Sequence, residues 1–325
     1  MPLTNLSPFS TPDLQDRKIL VFGKDGQLGK AFQSTLCNHK NVTFVGRGEC
    51  DLKNYQSLED YIAKIAPDKI INTAAYTAVD QAERCKEEAI AINALATKMM
   101  AQYCSQYGAQ LLYYSTDYVF DGNKEAGYLE TDICNPLNFY GESKLAGEQA
   151  IKDIFTQSEA LCNEAKKSFK YFIFRTSWVY GDGRNFIRTI LNLAKERSEL
   201  KVVADQYGVP TNADWLANLT LKILNSHSIE SGIYHTVPSG KTSWYELAKY
   251  ILECAEELGL NLILRPNNLI PIKTNEYPLP AKRPSNSILS TTKLQNALAG
   301  ESLLNEDWRF RIKEYVHQLH KHKLI

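Results

Sequence analysis

The residue pair with the clearest chemistry is Tyr140 and Lys144, in the run Tyr-Gly-Glu-Ser-Lys. On a helix this four-residue spacing places both side chains on the same face. A tyrosine hydroxyl has an ordinary pKa of about 10 and holds its proton too tightly to be a good acid at neutral pH. A neighbouring ammonium group stabilises the phenolate and brings the hydroxyl toward the working range of a general acid. The pair therefore predicts proton donation to an oxygen, and Lys144 can also bind a ribose hydroxyl.

The spacing alone is weak evidence, because Tyr245 and Lys249 show it as well. That second pair lies in an amphipathic helical pattern, which indicates packing rather than chemistry. The first pair instead follows an apolar run, 111–114, that ends in Ser-Thr-Asp at 115–117. Polar residues at this strand end would lie in the ligand crevice of an open sheet, where Thr116 could bind the same oxygen that the tyrosine protonates. The alternative is that 115–117 forms only a turn or a helix cap.

Three glycines, Gly23, Gly26 and Gly29, separate a predicted strand from a predicted helix. In a dinucleotide fold the first glycine permits a tight turn and the second lets the backbone approach a pyrophosphate. The third allows the helix to pack against the strand. The helix N-terminus then offers unpaired N–H groups and a partial positive charge to the phosphates. This arrangement predicts nucleotide binding.

The choice of nicotinamide cofactor depends on Arg47, which lies between two glycines after the second predicted strand. An arginine suits the 2′-phosphate of NADP, whereas an acidic residue would hold the ribose hydroxyls of NAD. Asp51 and Leu52 follow closely enough to contact the adenine. The sequence favours NADPH, with NADH possible, and leaves open that Arg47 is a solvated loop residue.

Strands and helices alternate along the first half of the chain, which predicts an α/β fold with a Rossmann-like, doubly wound parallel sheet. The predicted strands are 17–22, 41–45, 69–72, 110–115 and 170–175, and the predicted helices are 30–37, 56–65, 87–107 and 143–154.

After about residue 180, prolines and asparagines are frequent, and predicted helices at 186–197, 214–225 and 243–258 are separated by irregular segments. We expect a smaller C-terminal substrate-binding lobe, with 232–237 returning to the main sheet. The predicted division is a flexible N-terminal extension at 1–16, a dinucleotide-binding domain at 17–178 rejoined by about 211–240, and a lobe formed by 179–210 and 241–325.

Composition excludes several classes of function. The 325 residues include 37 basic and 37 acidic side chains, so no broad basic field is available for nucleic acid or a membrane surface. No apolar run approaches the roughly 18 residues that cross a bilayer. The seven cysteines are scattered without a Cys-x-x-Cys pair, which indicates reduced thiols. We expect a cytoplasmic protein, a monomer or homodimer, that binds no nucleic acid and no membrane.

Together these motifs resemble the extended short-chain dehydrogenase/reductases, from Lys18 to about Leu289. The resemblance rests on ILVFGKDGQLG at 19–29, INTAAYTAVDQAE at 71–83, STDYVFDG at 115–122, YGESKLAGE at 140–148, FRTSWVYG at 174–181 and VVADQYGVPT at 202–211. It implies NAD(P)H-dependent reduction of the C4 keto group of dTDP-4-dehydro-L-rhamnose to dTDP-L-rhamnose, for cell-surface polysaccharide such as lipopolysaccharide. Spacing and composition alone indicate only a reductase acting on a polar carbonyl.

The resemblance also implies a role for each matching residue. For the cofactor it implies the turn at Gly23, pyrophosphate contacts from Gly26, Gln27 and Leu28, adenine contacts from Asp51 and Leu52, and crevice contacts from Ala75, Tyr76, Thr77, Tyr140 and Lys144. For the dTDP-sugar substrate it implies Thr116, Asp117, Trp178 stacking on the sugar, and Arg283 near the nucleotide. By their types alone, Trp178 could equally be a core residue and Arg283 a surface ion pair.

Magnesium is doubtful, and we predict no metal site. Some members of the resembled family hold magnesium between subunits through acidic residues, one of them in the first helix, where this chain has Ala31. Asp214 cannot form a metal site alone. The histidines at 317, 320 and 322 indicate a solvated terminus rather than a metal site.

Other functions within this fold remain open. Sugar-nucleotide 4,6-dehydratases resemble one another in carrying Thr-Asp-Glu where this chain has Thr-Asp-Tyr at 116–118. Another nucleotide-sugar reductase or an epimerase would need the same residues, although an epimerase regenerates its cofactor. A non-catalytic NADP-binding regulatory subunit shares the fold too, but the combination of Thr116, Tyr140 and Lys144 favours catalysis.

Overall fold

A six-stranded parallel sheet forms the centre of the computed structural model, which describes residues 16–160, 169–226 and 229–325. The strands are β1 Ile19–Phe22, β2 Val42–Val45, β3 Lys69–Asn72, β4 Gln110–Thr116, β5 Tyr171–Thr176, β6 Val179–Tyr180, β7 Leu200–Val203, β8 Tyr207–Gly208, β9 Thr211–Asn212, β10 Gly232–His235, β11 Thr242–Ser243 and β12 Leu269–Ile272. The central sheet has the order β10-β5-β4-β3-β1-β2, and the six other strands form three short pairs. The sheet order reverses beside β1, which is the hallmark of a doubly wound sheet.

Helices cover both faces of this sheet. They are α1 Gln27–Thr35, α2 Tyr55–Ile65, α3 Val79–Ala82, α4 Lys86–Ile90, α5 Ala96–Tyr107, α6 Phe139–Ala160, α7 Phe186–Ala194, α8 Ala213–Asn225, α9 Trp244–Glu257, α10 Thr292–Ala297 and α11 Trp308–Lys321. Alternate residues of β1 point to opposite sides: Ile19 and Val21 pack with α1 and α8, whereas Leu20 and Phe22 pack with α2, α5 and α6. The prediction of a Rossmann-like, doubly wound parallel sheet is therefore confirmed.

Two helices differ from their predicted bounds in ways that affect the site. The helix predicted to begin at residue 143 begins at Phe139, because the Asn138 side chain accepts the Gly141 N–H at 2.9 Å and caps the first turn. Tyr140 therefore lies in that first turn. The helix predicted at 87–107 contains a π-turn at Ala91–Leu95, between α4 and α5.

The buried Asn93 lies in the middle of this π-turn. Its side chain accepts the Tyr76 N–H at 2.8 Å and donates to the Ser143 hydroxyl at 2.8 Å. These bonds hold the segment after β3 and the helix α6 against the same turn. A π-turn of this kind displaces one side chain from regular helical geometry and is common at functional sites.

The C-terminal part of the chain has its own core. Residues of α7, α9 and α11 pack with Val119, Phe120 and Tyr128 in a cluster separate from the two clusters on the sheet faces. Gly232–His235 pairs in parallel with β5 at the edge of the main sheet, and α8 packs beside α1. The proposed domain boundaries stay predictions, and all but the last residue of the predicted extension at 1–16 lies outside the described residues.

Gly29 allows a test of the packing between α1 and β1. A Cβ atom added there would lie 2.0 Å from the carbonyl oxygen of Gly23. Helix propensity favours alanine over glycine by about 1 kcal/mol, but this overlap requires the loop backbone to move. We expect Gly29→Ala to lower the free energy of unfolding by roughly 1–3 kcal/mol, measured by urea denaturation.

Gly48→Ala is the matched control, because no heavy atom lies within 4 Å of its added Cβ. It should change the free energy of unfolding by less than about 0.5 kcal/mol. Equal stability of the Gly29→Ala variant and the parent would show that the loop is not closely packed against α1.

Candidate functional site

A cleft of about 990 Å³ opens at the carboxyl ends of the central strands, where ligands bind to open parallel sheets. Nearly all of the predicted site residues line it, although they come from distant parts of the chain. They are Gly23, Gly26, Gln27, Leu28, Arg47, Asp51, Leu52, Ala75, Tyr76, Thr77, Thr116, Asp117, Tyr140, Lys144 and Trp178. Arg283 is the one predicted site residue that does not line this cleft.

The glycine loop presents the N-terminus of α1 to the cleft. Within the described chain, no side chain caps this terminus, and its first turn contains no acidic residue. The first N–H groups of a helix have no partner inside the helix, so these groups are available to an anion. Gly23 has a φ of +87°, and a Cβ there would lie 2.6 Å from the Ala74 nitrogen. The glycine loop and the N-terminus of α1 therefore fit a pyrophosphate that is held by backbone N–H groups.

The side chain of Gln27 is already engaged, which sequence reasoning did not anticipate. Its Oε1 accepts the Gly181 N–H at 2.9 Å, and its Nε2 donates to the Val179 carbonyl at 3.3 Å. The predicted pyrophosphate contact at Gln27 would therefore use the backbone N–H rather than the side-chain amide.

The predicted adenosine end of the cleft has mixed charge. The Arg47 side chain is 71% exposed, and its guanidinium lies 3.7 Å from Asp51 and 3.8 Å from Glu88. These distances describe weak surface ion pairs. An arginine free to turn toward a 2′-phosphate, beside carboxylates able to bind ribose hydroxyls, is compatible with either NADPH or NADH.

Tyr140 lies at the inner wall of the cleft with its ring edge-on to Tyr118, at a centroid distance of 6.0 Å. Burial raises the pKa of Tyr140 to about 12, the Thr116 hydroxyl opposes that shift, and the charge of Asp117 adds to it. Among the described residues, the group that lowers this pKa is thus Thr116. The predicted lowering of this pKa by Lys144 is therefore wrong for this structure, because the pKa is raised and Lys144 is not among the groups that shift it.

Lys144 is only 2% exposed, and its ammonium nitrogen lies 3.9 Å from the centroid of the Tyr113 ring. Burial lowers the pKa of Lys144 to about 7, and the carboxylate of Glu148, one turn along α6, opposes that shift. Glu148 is itself in a bidentate ion pair with Arg175, at 2.9 and 2.7 Å. The charge of Lys144 at neutral pH is therefore sensitive to any anion that enters the cleft.

Asp117 is a buried carboxyl group at the end of β4, also 2% exposed. The Thr116 hydroxyl donates to its Oδ1 at 2.9 Å, and its Oδ2 has no hydrogen-bond partner within the described residues. Burial raises the pKa of Asp117 to about 7, and the Ser287 and Thr116 hydroxyls oppose that shift. Because the Thr116 hydrogen is directed at Asp117, it must turn before Thr116 can donate to a substrate oxygen.

Trp178 already has an aromatic partner. Its ring stacks on Trp244 with centroids 3.6 Å apart, and a Cβ on Gly208 would come within 2.6 Å of its Cε2. The backbone at Trp178 has a φ of +46°, an uncommon conformation for a bulky residue and a common one at functional sites. Stacking of a sugar on this indole stays a prediction, and Trp244 already covers one face of the ring.

Arg283 forms a bidentate ion pair with Asp80, with both N–O distances at 2.7 Å. The ion pair that sequence reasoning kept as an alternative is therefore present, with Asp80 in α3 as the partner. A contact between Arg283 and the nucleotide stays a prediction.

Further lining residues were missed by sequence reasoning. Thr176, Asp182, Gly183 and Arg184 all line the cleft. Thr176 ends β5 and the other three follow the FRTSWVYG run, so the rule that ligands bind at strand ends could have found them. Within the described residues, no group of three or more His, Cys, Asp or Glu side chains could hold a metal, and no helix is long and apolar enough to cross a membrane.

The chain is similar to known proteins over most of its length. The family model for the RmlD substrate binding domain matches residues 17–321. A dTDP-4-dehydrorhamnose reductase of Escherichia coli (strain K12) is 41% identical over 309 residues, which covers 93% of this chain and 97% of that protein.

Two crystal structures of dTDP-4-dehydrorhamnose reductases show the same fold. The structure from Clostridium acetobutylicum has a TM-score of 0.81 at 35% identity, and the one from Bacillus anthracis, in complex with NADP, has a TM-score of 0.79 at 35% identity. Each alignment covers 93% of this chain and 99% of the other.

The raised pKa of Asp117 predicts a pH effect on stability. The folded protein binds this proton more tightly than the unfolded chain, whose aspartates have a pKa of about 3.9. The contribution of Asp117 to stability is therefore full below pH 4 and is lost as the pH rises toward 7. We compare the free energy of unfolding of Asp117→Asn with that of the parent by urea denaturation at pH 5 and at pH 8. The difference in favour of the variant should be about 2 kcal/mol larger at pH 8 than at pH 5.

Asp121→Asn is the control. Hydrogen bonds from the Asn123 N–H and the Tyr128 hydroxyl lower the pKa of Asp121, so its titration falls below this pH range. Its effect on the free energy of unfolding should be the same at pH 5 and pH 8. An Asp117→Asn variant that also shows no pH-dependent difference from the parent would contradict a raised pKa at Asp117.

Proposed function

This chain belongs to the RmlD substrate binding domain family, and we propose that it reduces the C4 keto group of dTDP-4-dehydro-L-rhamnose to give dTDP-L-rhamnose. The chain is an oxidoreductase of the Rossmann-fold, short-chain dehydrogenase/reductase type, and NADP or NAD is its cofactor. The observation that carries the proposal is the meeting of Thr116, Tyr140 and Lys144 in the cleft that begins at the uncapped N-terminus of α1. Relatives that match 93% of this chain are named dTDP-4-dehydrorhamnose reductase.

The proposed mechanism divides the work between the cofactor and the protein. A bound reduced nicotinamide would supply the hydride to C4 of the sugar. Tyr140 donates its proton to the oxygen on C4, and Thr116, once its hydroxyl has turned, holds that oxygen in place. Lys144 in its charged form stabilises the phenolate left on Tyr140, which regains a proton from solvent after the alcohol leaves. The balance is one hydride and one proton added to one ketone.

The cofactor would be held along the length of the cleft. The first N–H groups of α1 and the backbone of Gly26, Gln27 and Leu28 bind the pyrophosphate, and Asp51 and Leu52 contact the adenine. The segment of Ala75, Tyr76 and Thr77 follows the cofactor along the crevice, and its position is supported by the bonds between Tyr76 and Asn93.

The substrate would enter from the side of the C-terminal lobe. One structure of the same fold, MoeE5 at 18% identity, is in complex with UDP-glucose and NAD. For this chain we propose a dTDP-sugar held by Thr116, Asp117, Trp178 and Arg283. The product serves cell-surface polysaccharide synthesis in the cytoplasm. We propose a monomer or homodimer that binds neither nucleic acid nor a membrane.

The direct test supplies enzymatically made dTDP-4-dehydro-L-rhamnose and follows the loss of NADPH and of NADH by absorbance. The sugar product is then identified by NMR. One cofactor consumed per dTDP-L-rhamnose formed supports a reductase. Turnover without net cofactor loss indicates an epimerase, and a product with the opposite configuration at C4 indicates a reductase with the other facial selectivity.

Tyr140→Phe tests the proton donor. Removing the hydroxyl should lower kcat by at least about a hundredfold, the usual size of a lost general acid. The Kd for NADPH, measured by fluorescence titration, should stay within about twofold because the aromatic ring remains in place.

Tyr245→Phe is the matched control, because Tyr245 has the same spacing to a lysine but packs against the C-terminal core. It should keep the turnover of the parent. Unchanged turnover in Tyr140→Phe would refute the assigned role, and intact cellular function of that variant would favour a regulatory binding protein.

Arg47→Gln tests the cofactor preference. Loss of the guanidinium removes a partner for the 2′-phosphate, so the KM for NADPH should rise about fivefold or more while the KM for NADH stays within about twofold. Arg84→Gln, an exposed arginine outside the cleft lining, should change neither value. Equal effects of Arg47→Gln on both cofactors would contradict a contact with the 2′-phosphate.

A further inference from the structure

A network of hydrogen bonds connects the last helix to the glycine loop. The hydroxyl of Tyr315, on α11, donates to the Gly181 carbonyl at 2.6 Å. It accepts from the Asn185 side-chain amide at 2.9 Å and from Arg188 Nε at 3.1 Å. The Tyr315 side chain is buried, so these bonds are made in a region from which water is largely excluded.

Gly181 is held from both sides. Its carbonyl accepts from Tyr315, and its N–H donates to Gln27 Oε1 at 2.9 Å. The Asn185 amide also lies 3.3 Å from the same Gln27 oxygen. A Cβ on Gly181 would lie 2.8 Å from the Cβ of Ala213, so the glycine is confined by packing as well as by hydrogen bonds.

The position of the Gln27 side chain matters because Gln27 is the first residue of α1. A glutamine side chain near a helix N-terminus can accept a hydrogen bond from one of the free backbone N–H groups there, as in a capping box. Those are the groups that an incoming phosphate would need. Here the network directs the Gln27 carboxamide oxygen to Gly181 and leaves the first-turn N–H groups uncapped within the described chain.

The same network positions part of the cleft wall. Val179, Asp182, Gly183 and Arg184 line the cleft on either side of Gly181. An ion pair at 3.1 Å between Lys30 of α1 and Asp182 bridges the two walls beside the glycine loop.

From these contacts we propose that Tyr315 is a positioning residue for the bound dinucleotide, acting through Gly181 and Asn185 on Gln27. The proposal rests on the proposed function only in that the cleft binds a nicotinamide dinucleotide. It means that the cofactor site includes a residue of the last helix, far from the glycine motif in sequence. Tyr315 does not line the cleft itself and is connected to the glycine loop only through Gly181, Asn185 and Gln27. Its loss should therefore weaken cofactor binding and leave the proton donor unchanged.

The test is Tyr315→Phe, which removes one hydroxyl and keeps the ring. We expect the Kd for NADPH, measured by fluorescence titration of the full chain, to rise about 3- to 10-fold, the size of one lost hydrogen bond. With both ligands saturating, kcat should stay within about twofold of the parent. The KM for the sugar should also be unchanged, because the reacting groups are untouched.

Tyr250→Phe is the matched control. Tyr250 lies on α9 in the same lobe and packs edge-on against Trp308, outside the cleft lining. Its loss of a hydroxyl should leave the Kd for NADPH unchanged. A rise of equal size in both variants would show a general effect of the lobe and would overturn the proposal.

A double-mutant cycle with Gln27→Met separates positioning from a merely structural role. Gln27→Met alone should raise the Kd for NADPH by a similar factor, and adding Tyr315→Phe should then raise it by less than about twofold. Fully multiplicative effects, or an unchanged Kd in either single variant, would overturn the proposal. If Tyr315→Phe does not fold, an unchanged Kd in Gln27→Met alone would still overturn the proposal, because the position of the Gln27 side chain would then not matter for NADPH binding.

The titration also keeps this proposal distinct from the proposed function. NADPH binding is read without turnover, so a parent protein that binds NADPH but does not reduce the sugar would contradict the reaction and leave this test intact. A parent that does not bind NADPH would contradict both.

Discussion

The site depends on the burial of ionisable groups at the end of one strand and the beginning of one helix. Burial raises the pKa of Tyr140 to about 12, lowers that of Lys144 to about 7 and raises that of Asp117 to about 7. All three shifts favour the neutral form, because a charge in this cleft has lost its contact with water. A dinucleotide brings negative phosphates and polar ribose groups into the same space. The burial that discourages charge without ligand therefore makes the protonation of Lys144 responsive to ligand binding.

The fold provides this environment by joining strand ends to one long helix. Strand β4 delivers Thr116 and Asp117 to the cleft, and α6 returns across the sheet with Tyr140 and Lys144 in its first two turns. The next turn carries Glu148, whose charge is neutralised by a bidentate pair with Arg175 on β5. An unpaired carboxylate at this depth would be costly. Because Glu148 is paired with Arg175, its carboxylate can be buried one turn from Lys144 without leaving an uncompensated charge in the core.

The sequence predicted correctly those features that depend on local residue patterns and on the residues at strand ends. It separated Tyr140 from Tyr245 because only the first follows a strand that ends in hydroxyl residues, and only Tyr140 lines the cleft. It placed the start of α6 four residues late, because the cap at Asn138 is a side-chain bond without a strong pattern around it. The sequence did not predict the π-turn that contains Asn93 either. The hydrogen-bond partners of Asn93 are Tyr76 and Ser143, which are remote from it in sequence.

The contacts that sequence could not predict are those that join the sheet to the C-terminal lobe. Gln27 bonds to Gly181, Lys30 pairs with Asp182, and Asp80 pairs with Arg283. In each pair one partner comes from the first 80 residues and the other from beyond residue 180, so neither periodicity nor motif spacing relates them. Gln27, Lys30 and Asp182 line the cleft, so the first two contacts connect its walls. A glycine motif and a Tyr-Lys pair identify two chemical ends of the site, whereas the contacts that connect its walls join residues that no motif relates.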